Sequence, residues 1–156
     1  MIRCAPAVLT ATLTMLALLA SSATPATAGN SDPKVVLDEV YGQVDAMCGG
    51  EGQGPAYDIY VIAEDYFTPD LAKTFTSAMD KGDLDFDVLV DAQDCKLSDL
   101  KLEVVKSEAD TAVGRATFKN MGEDRVVDLL MAKSGDDWQV ADVVYRHRTF
   151  SLLAGE

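Results

Sequence analysis

The sequence has a single histidine, His147, and no cysteine pair at C-x-x-C spacing. A redox dithiol motif is therefore absent. Cys48 and Cys95 lie far apart with only His147 to help, which makes a poor zinc site. There is no Walker loop, no dinucleotide glycine fingerprint and no zinc-binding helix. None of the serines sits in a nucleophile elbow. Basic residues are also scarce: 13 Lys and Arg stand against 26 Asp and Glu, for a formal charge of −13. Such a chain repels nucleic acid and anionic membrane surfaces. It suits a basic protein partner, cations, or plain solubility. No internal repeat or low-complexity tract is present, and "GGEGQGP" at 49–55 is too short to link two domains.

Export is the first positive signal. "MIRCAPAVLTATLTMLALLASSATPATA" (1–28) has one basic residue, Arg3, then an apolar run, then Ala26-Thr27-Ala28. Those are the three parts of a secretory signal peptide. The apolar core, about Val8 to Ala20, is too short for a spanning helix. Cys4 precedes that core, which argues against a lipid anchor. Cleavage near Ala28 leaves one domain, 29–156, with no membrane span. Cys48 and Cys95 then remain as a pair, and an exported pair reads as one disulfide. Periplasmic and fully secreted destinations both fit.

Helical period comes first along the mature chain. Asp32-Pro33 is a cap followed by proline at the first helical position. Val36, Leu37, Val40, Tyr41, Val44 and Met47 then recur on one face, for a helix of about four turns. Gly42 inside it is expected to allow a neighbour close. Ile59, Ile62, Ala63 and Tyr66 suggest a second helix. Thr68-Pro69-Asp70 starts a third, continued by Leu71, Phe75, Ala78 and Met79 and ended at Gly82. After Asp94 the period falls to two. Leu100, Leu102 and Val104 alternate with charges, and "TAVGRATF", "RVVDLLMA" and "WQVADVVY" follow with turn residues between them. The expectation is α+β: N-terminal helices packed on a four-stranded antiparallel meander. Phe150 to Leu153 is expected to cover a sheet end.

"YFTPDLAKTF", "LDFDVLVDAQD", "LSDLKLEVV", "DTAVGRATF" and "DWQVADVVY" stand in the order found in an exported bacterial family known as domain of unknown function 3828. The closing "SLLAGE" also resembles that family's end. The resemblance spans roughly residues 33–154. It implies the cystatin-like cone of nuclear transport factor 2 relatives, with helices packed into a curved sheet. It carries no activity and no catalytic residues. Cys95 is a departure, since an aromatic often follows "AQD" in that family.

Two constellations are candidate sites. In "DKGDLDFDVLVDAQD" (80–94), Asp83, Asp85, Asp87, Asp91 and Asp94 fall at positions 1, 3, 5, 9 and 12 of a calcium loop. Position 6 is Val88 where the turn wants glycine, and Leu84, Phe86 and Leu89 want burial. The structural alternative keeps Leu84 and Phe86 inward and Asp83, Asp85 and Asp87 facing water, with Asp87 also capping a short helix around Leu89 and Val90. Calcium on this cluster is the one cofactor to consider.

The second constellation comes from strand register. A last hairpin centred on Gly135 sets Asp128 opposite Asp142. A preceding turn at Met121-Gly122 sets Arg115 opposite Asp128. The three would form a polar line on one face, shared with Trp138 among apolar residues. Arg115, Asp128, Asp142 and Trp138 are the candidate pocket. Its structural alternative is an Arg–Asp ladder, with Trp138 as core. His147, between Arg146 and Arg148, reads as an exposed or capping residue.

The expected function is binding without catalysis. The partner would be a protein meeting the acidic surface, a small ligand, or a second copy in a homodimer. The rival is an enzyme of the same fold, with Asp142 or Asp128 as acid or base and Arg115 orienting an anion.

Overall fold

A computed structural model describes residues 30–49, 58–146 and 150–154. The proposed leader and His147 lie outside the described residues. Three helices precede four strands: α1 (Pro33–Cys48), α2 (Ile59–Tyr66), α3 (Pro69–Lys81), β1 (Leu97–Ser107), β2 (Thr111–Asn120), β3 (Glu123–Ser134) and β4 (Asp137–Tyr145). The strands form one antiparallel sheet in sequence order, an α+β arrangement. No helix among the described residues is long and apolar enough to cross a membrane.

The helix starts follow their local chemistry. Asp32 accepts from the Lys34 amide at 2.7 Å, and Asp58 accepts from the Tyr60 amide at 2.9 Å. Thr68 accepts from the Leu71 amide at 3.4 Å, with Pro69 in the first turn. Each bond satisfies a donor that has no intrahelical partner. Gly82 ends α3 at φ +72°, the left-handed conformation that glycine tolerates best.

The periodic face of α1 is the centre of the core. Val36, Leu37, Val40, Tyr41 and Val44 are fully buried, and α1 packs on β1, β2 and β4. Burial stabilises by about 1.5–3 kcal/mol for each large apolar side chain. The close approach is not at Gly42, which faces open space. It is at Gly114 of β2, where an added Cβ would strike Met131 and press on Leu37. The glycine that lets the helix settle is thus on the sheet.

The disulfide joins Cys48, at the end of α1, to Cys95, just before β1, with 5.2 Å between their Cα atoms. A parallel bridge between Gly49 and Leu97 lies beside it. The far edge of the sheet is covered at two points. The Thr68 amide donates to the Val140 carbonyl at 2.8 Å, and the Leu152 amide donates to the Val143 carbonyl at 3.0 Å. The tail therefore pairs along the β4 edge, as its apolar character suggested.

Two hairpins decide which side chains meet. The β2–β3 turn is Met121-Gly122, both at positive φ, and it sets Arg115 opposite Asp128 as expected. The β3–β4 turn corrects the expected register. Gly135, at φ +64°, forms a two-residue turn with Asp136, so Lys133 faces Trp138 and Met131 faces Val140. A bulge between Met131 and Leu130 leaves Ala141 unpaired. Beyond it, Leu130 faces Asp142 and Asp128 faces Val144. The bulge accommodates one extra residue and restores the alternation.

Candidate functional site

Arg115, Asp128, Asp142 and Trp138 do not converge. Trp138 is buried on the helix side of the sheet with Val140 and Val143. Arg115 and Asp128 lie on the opposite face as a bidentate pair, with Nε to Oδ1 at 2.7 Å and Nη2 to Oδ2 at 2.9 Å. The hydrogen bond to Asp128 raises the Arg115 guanidinium above its ordinary pKa. Arg146 adds a longer contact to Asp128 at 3.6 Å. Asp142 is engaged with the tail: Ser151 Oγ donates to it at 2.6 Å and the Leu153 amide at 2.8 Å. Two acids expected to oppose each other thus serve separate structural bonds.

The aspartates of 83–94 also diverge. Asp87 accepts from the Leu89 amide at 2.8 Å and caps the turn that buries Val88, Leu89 and Val90. The Asp87 amide donates to the Ala92 carbonyl at 2.9 Å and closes that turn. Asp91 points at Arg125, with 3.8 Å between Oδ2 and Nε, an ion pair longer than a hydrogen bond. Asp85 accepts from Gln93 at 3.4 Å. Among the described residues no group of three or more His, Cys, Asp or Glu is placed to hold a metal ion.

This segment is tied down from three sides. Tyr41 of α1 donates to the Leu89 carbonyl at 3.0 Å, and Tyr145 of β4 donates to the Val88 carbonyl at 2.8 Å. Burial, helped by Tyr145, Asp87 and Asp128, holds the Tyr41 phenol well above its ordinary pKa, so it stays a donor. The buried Asn120 of β2 accepts from the Lys96 amide at 2.8 Å and donates to the Asp94 carbonyl at 3.0 Å. Neither the tyrosine bonds nor the Asn120 clamp was anticipated from the sequence. An asparagine just before the Met121-Gly122 turn reads as ordinary turn chemistry.

Between this segment and α3 runs an apolar cleft in two lobes. The first, about 440 Å³, is lined by Ile59, Phe75, Met79, Leu84, Asp85, Phe86, Asp87, Val88 and Gln93. The second, about 480 Å³, is lined by Thr74, Ser77, Ala78, Lys81, Asp83, Leu84, Phe86, Phe150 and Leu152. Leu84 and Phe86 belong to both lobes and form the wall between them. Phe86 is braced by Phe150 and Tyr145, with ring centroids 5.7 and 6.2 Å away. A separate depression lies between α2 and α3 beside Tyr60 and Lys73. None of the four candidate pocket residues lines any of the three.

Burial divides the alternating stretch as the sequence suggested, but incompletely. Leu84 and Phe86 point inward yet stay only half-buried, while Asp83 and Asp85 are exposed. Asp87, expected to face water with Asp83 and Asp85, does not. It is largely buried in the wall of the first lobe, and desolvation raises its pKa to about 6 against the opposing hydrogen bonds from Leu89 and Val90.

No known family model matches the chain, so the resemblance drawn above rests on the quoted motifs alone. No curated protein matches it either. Among solved structures, the phospholipid-binding protein from Ralstonia solanacearum, in complex with a phospholipid, is similar at 20% identity. The alignment covers 80% of this chain and 72% of that one, with a TM-score of 0.36. At that score the likeness carries no argument about what this chain binds.

Proposed function

We propose that this is an exported, non-catalytic binding domain whose ligand is a small molecule with an apolar chain, held in the two-lobed cleft. The observation that carries the reading is a set of incompletely buried apolar side chains that share one cleft. Ile59, Met79, Leu84, Phe86 and Phe150 are each only partly buried against the core, and all five line the two lobes. Each lobe has the volume of a small-molecule site; the first has the mostly apolar wall usual for one, and the second adds the polar Thr74, Ser77, Lys81 and Asp83. Export is supported by the Cys48–Cys95 crosslink, because such bonds persist in oxidising compartments. The reading gives no reaction to Arg115, Asp128 or Asp142, whose side chains are already engaged with one another or with the tail.

A neutral fluorescent probe such as N-phenyl-1-naphthylamine tests the cleft. Saturable one-site binding with blue-shifted emission is expected, weakened about tenfold or more in Phe86→Ser, which removes the shared wall. Failure of the wild-type mature chain to saturate would overturn the reading.

An acidic surface meeting a basic protein is the second reading, and strand register favours a location for it. The outer sheet face mixes signs, with Lys101, Arg115 and Lys119 facing Glu103, Asp128 and Asp124 across the strands or beside them. The excess acid therefore lies elsewhere, on the helices and the 83–94 segment. A basic partner would dock there rather than on the sheet.

A further inference from the structure

Charge is distributed unequally between the two lobes. The first is lined by two aspartates, Asp85 and Asp87, and by no lysine or arginine. The second sets Lys81 against Asp83. No described lysine or arginine forms an ion pair with Asp85 or Asp87. Phe86, between the two aspartates in sequence, lines the same lobe, and Phe75 lines it from α3. An aromatic face beside carboxylates is the chemistry that recognises organic ammonium groups. An anionic head would meet two like charges in a domain already strongly acidic.

We propose that the first lobe takes an organic ammonium head group, while the ligand's apolar chain passes over Leu84 into the second lobe. This rests on the cleft being a ligand site and names the class of ligand. The ammonium lies against Phe86 and is paired by Asp87 and Asp85. The chain covers Leu84, Phe150 and Leu152, which the free protein leaves at the cleft wall.

Asp87 gives the interaction a pH dependence. The titratable or charged groups around it are Asp85 and Asp91 on its own segment, Tyr41 on α1, Tyr145 on β4, and Asp128 and Arg125 on β3. The wall from α3 supplies Phe75 and Met79, which do not titrate. Arg125 sits against Asp91, and Asp128 against Arg115, so neither cation neutralises Asp87. Ammonium binding should therefore weaken as pH falls through about 6, where Asp87 takes up its proton.

The test is calorimetric titration of the mature chain with three ten-carbon amphiphiles below their micelle thresholds. Decyltrimethylammonium and decyl sulfate keep their charge at every pH used, and 1-decanol is neutral. At pH 7.5 the ammonium should bind about tenfold or more tightly than the alcohol, and the sulfate more weakly than both. At pH 5 the preference over the alcohol should shrink toward that of Asp87→Asn, whose side chain can still cap the Leu89 amide. Asp85→Asn leaves that cap untouched and should lower the preference alone, which keeps the test decisive if Asp87→Asn fails to fold. Equal binding of ammonium and alcohol, or a preference unchanged in Asp85→Asn and insensitive to pH, overturns the ammonium assignment and leaves the apolar cleft standing. Binding of none of the three overturns both.

Discussion

Asp128 and Asp87 are both largely withdrawn from water, yet the two regions that hold them solve the problem differently. On the outer sheet face, Asp128 receives two bonds from one guanidinium, and a strand register fixes that partner directly opposite. In the 83–94 segment, Asp87 receives only backbone amides and no described cation. Amide donors from a short turn do not offset the loss of hydration, so its pKa rises. The paired carboxylate completes a sheet. The one without a cation stands in the wall of the cleft. The second arrangement persists because the surrounding segment is anchored elsewhere, through the disulfide, two tyrosines and Asn120.

The contrast is broken most strongly by cutting that anchor. Cys95→Ser should lower stability by about 4 kcal/mol on the chain-entropy account of a loop this long. Denaturant unfolding with and without reductant measures it, and unchanged wild-type unfolding on reduction would show the segment stands without the crosslink. Next comes the paired acid. Asp128→Ala leaves Arg115 without its bidentate acceptor and should cost about 2–3 kcal/mol by the same measurement. A loss below about 0.5 kcal/mol would place this pair with ordinary surface pairs.

Asp87 should make the fold more stable on acidification. Its folded pKa, about 6, lies above the ordinary aspartate value, so the folded state binds the proton more readily than the unfolded chain. Stability should therefore rise as pH drops from 7 to 4, by about 2 kcal/mol from this group. Relief of general acid repulsion adds to the same trend, so the quantity to read is wild type minus Asp87→Asn. Parallel pH profiles for the two proteins would remove Asp87 from the account. The smallest effect concerns the tyrosine ties. Tyr145→Phe keeps the stack on Phe150, whose centroid is 4.5 Å away, and loses only the bond to the Val88 carbonyl. About 1 kcal/mol should be lost, with probe binding weakened as the Phe86 wall loosens. Unaltered stability and binding would show that packing alone holds the turn.

Legibility followed the range of the interactions. Asp32-Pro33 and Thr68-Pro69 marked two helix starts because a cap acts within one turn. Leu84 and Phe86 point inward as alternation between adjacent residues predicts, whereas Asp87, expected to face water, is drawn into the cleft wall by the turn it caps. Asp142 was set opposite the wrong neighbour. The hairpin turn has two residues rather than one, and a bulge at Ala141 adds a second step. Trp138 was expected in the polar line and also as core, and the same register change sends it to the helix side. The cleft left no trace in any one stretch of sequence, since its wall combines α2, α3, the 83–93 segment and the tail.

The amino-acid sequence by itself determined the order of helices and strands, their caps, the strongly acidic character, and the two cysteines available to pair. Those properties come from composition and from neighbours within a few positions along the chain. Only the tertiary structure decided which aspartate met a guanidinium and which met an apolar cleft. That choice depends on register summed over three strands and on the meeting of residues far apart in sequence, where a single inserted residue changes every later partner.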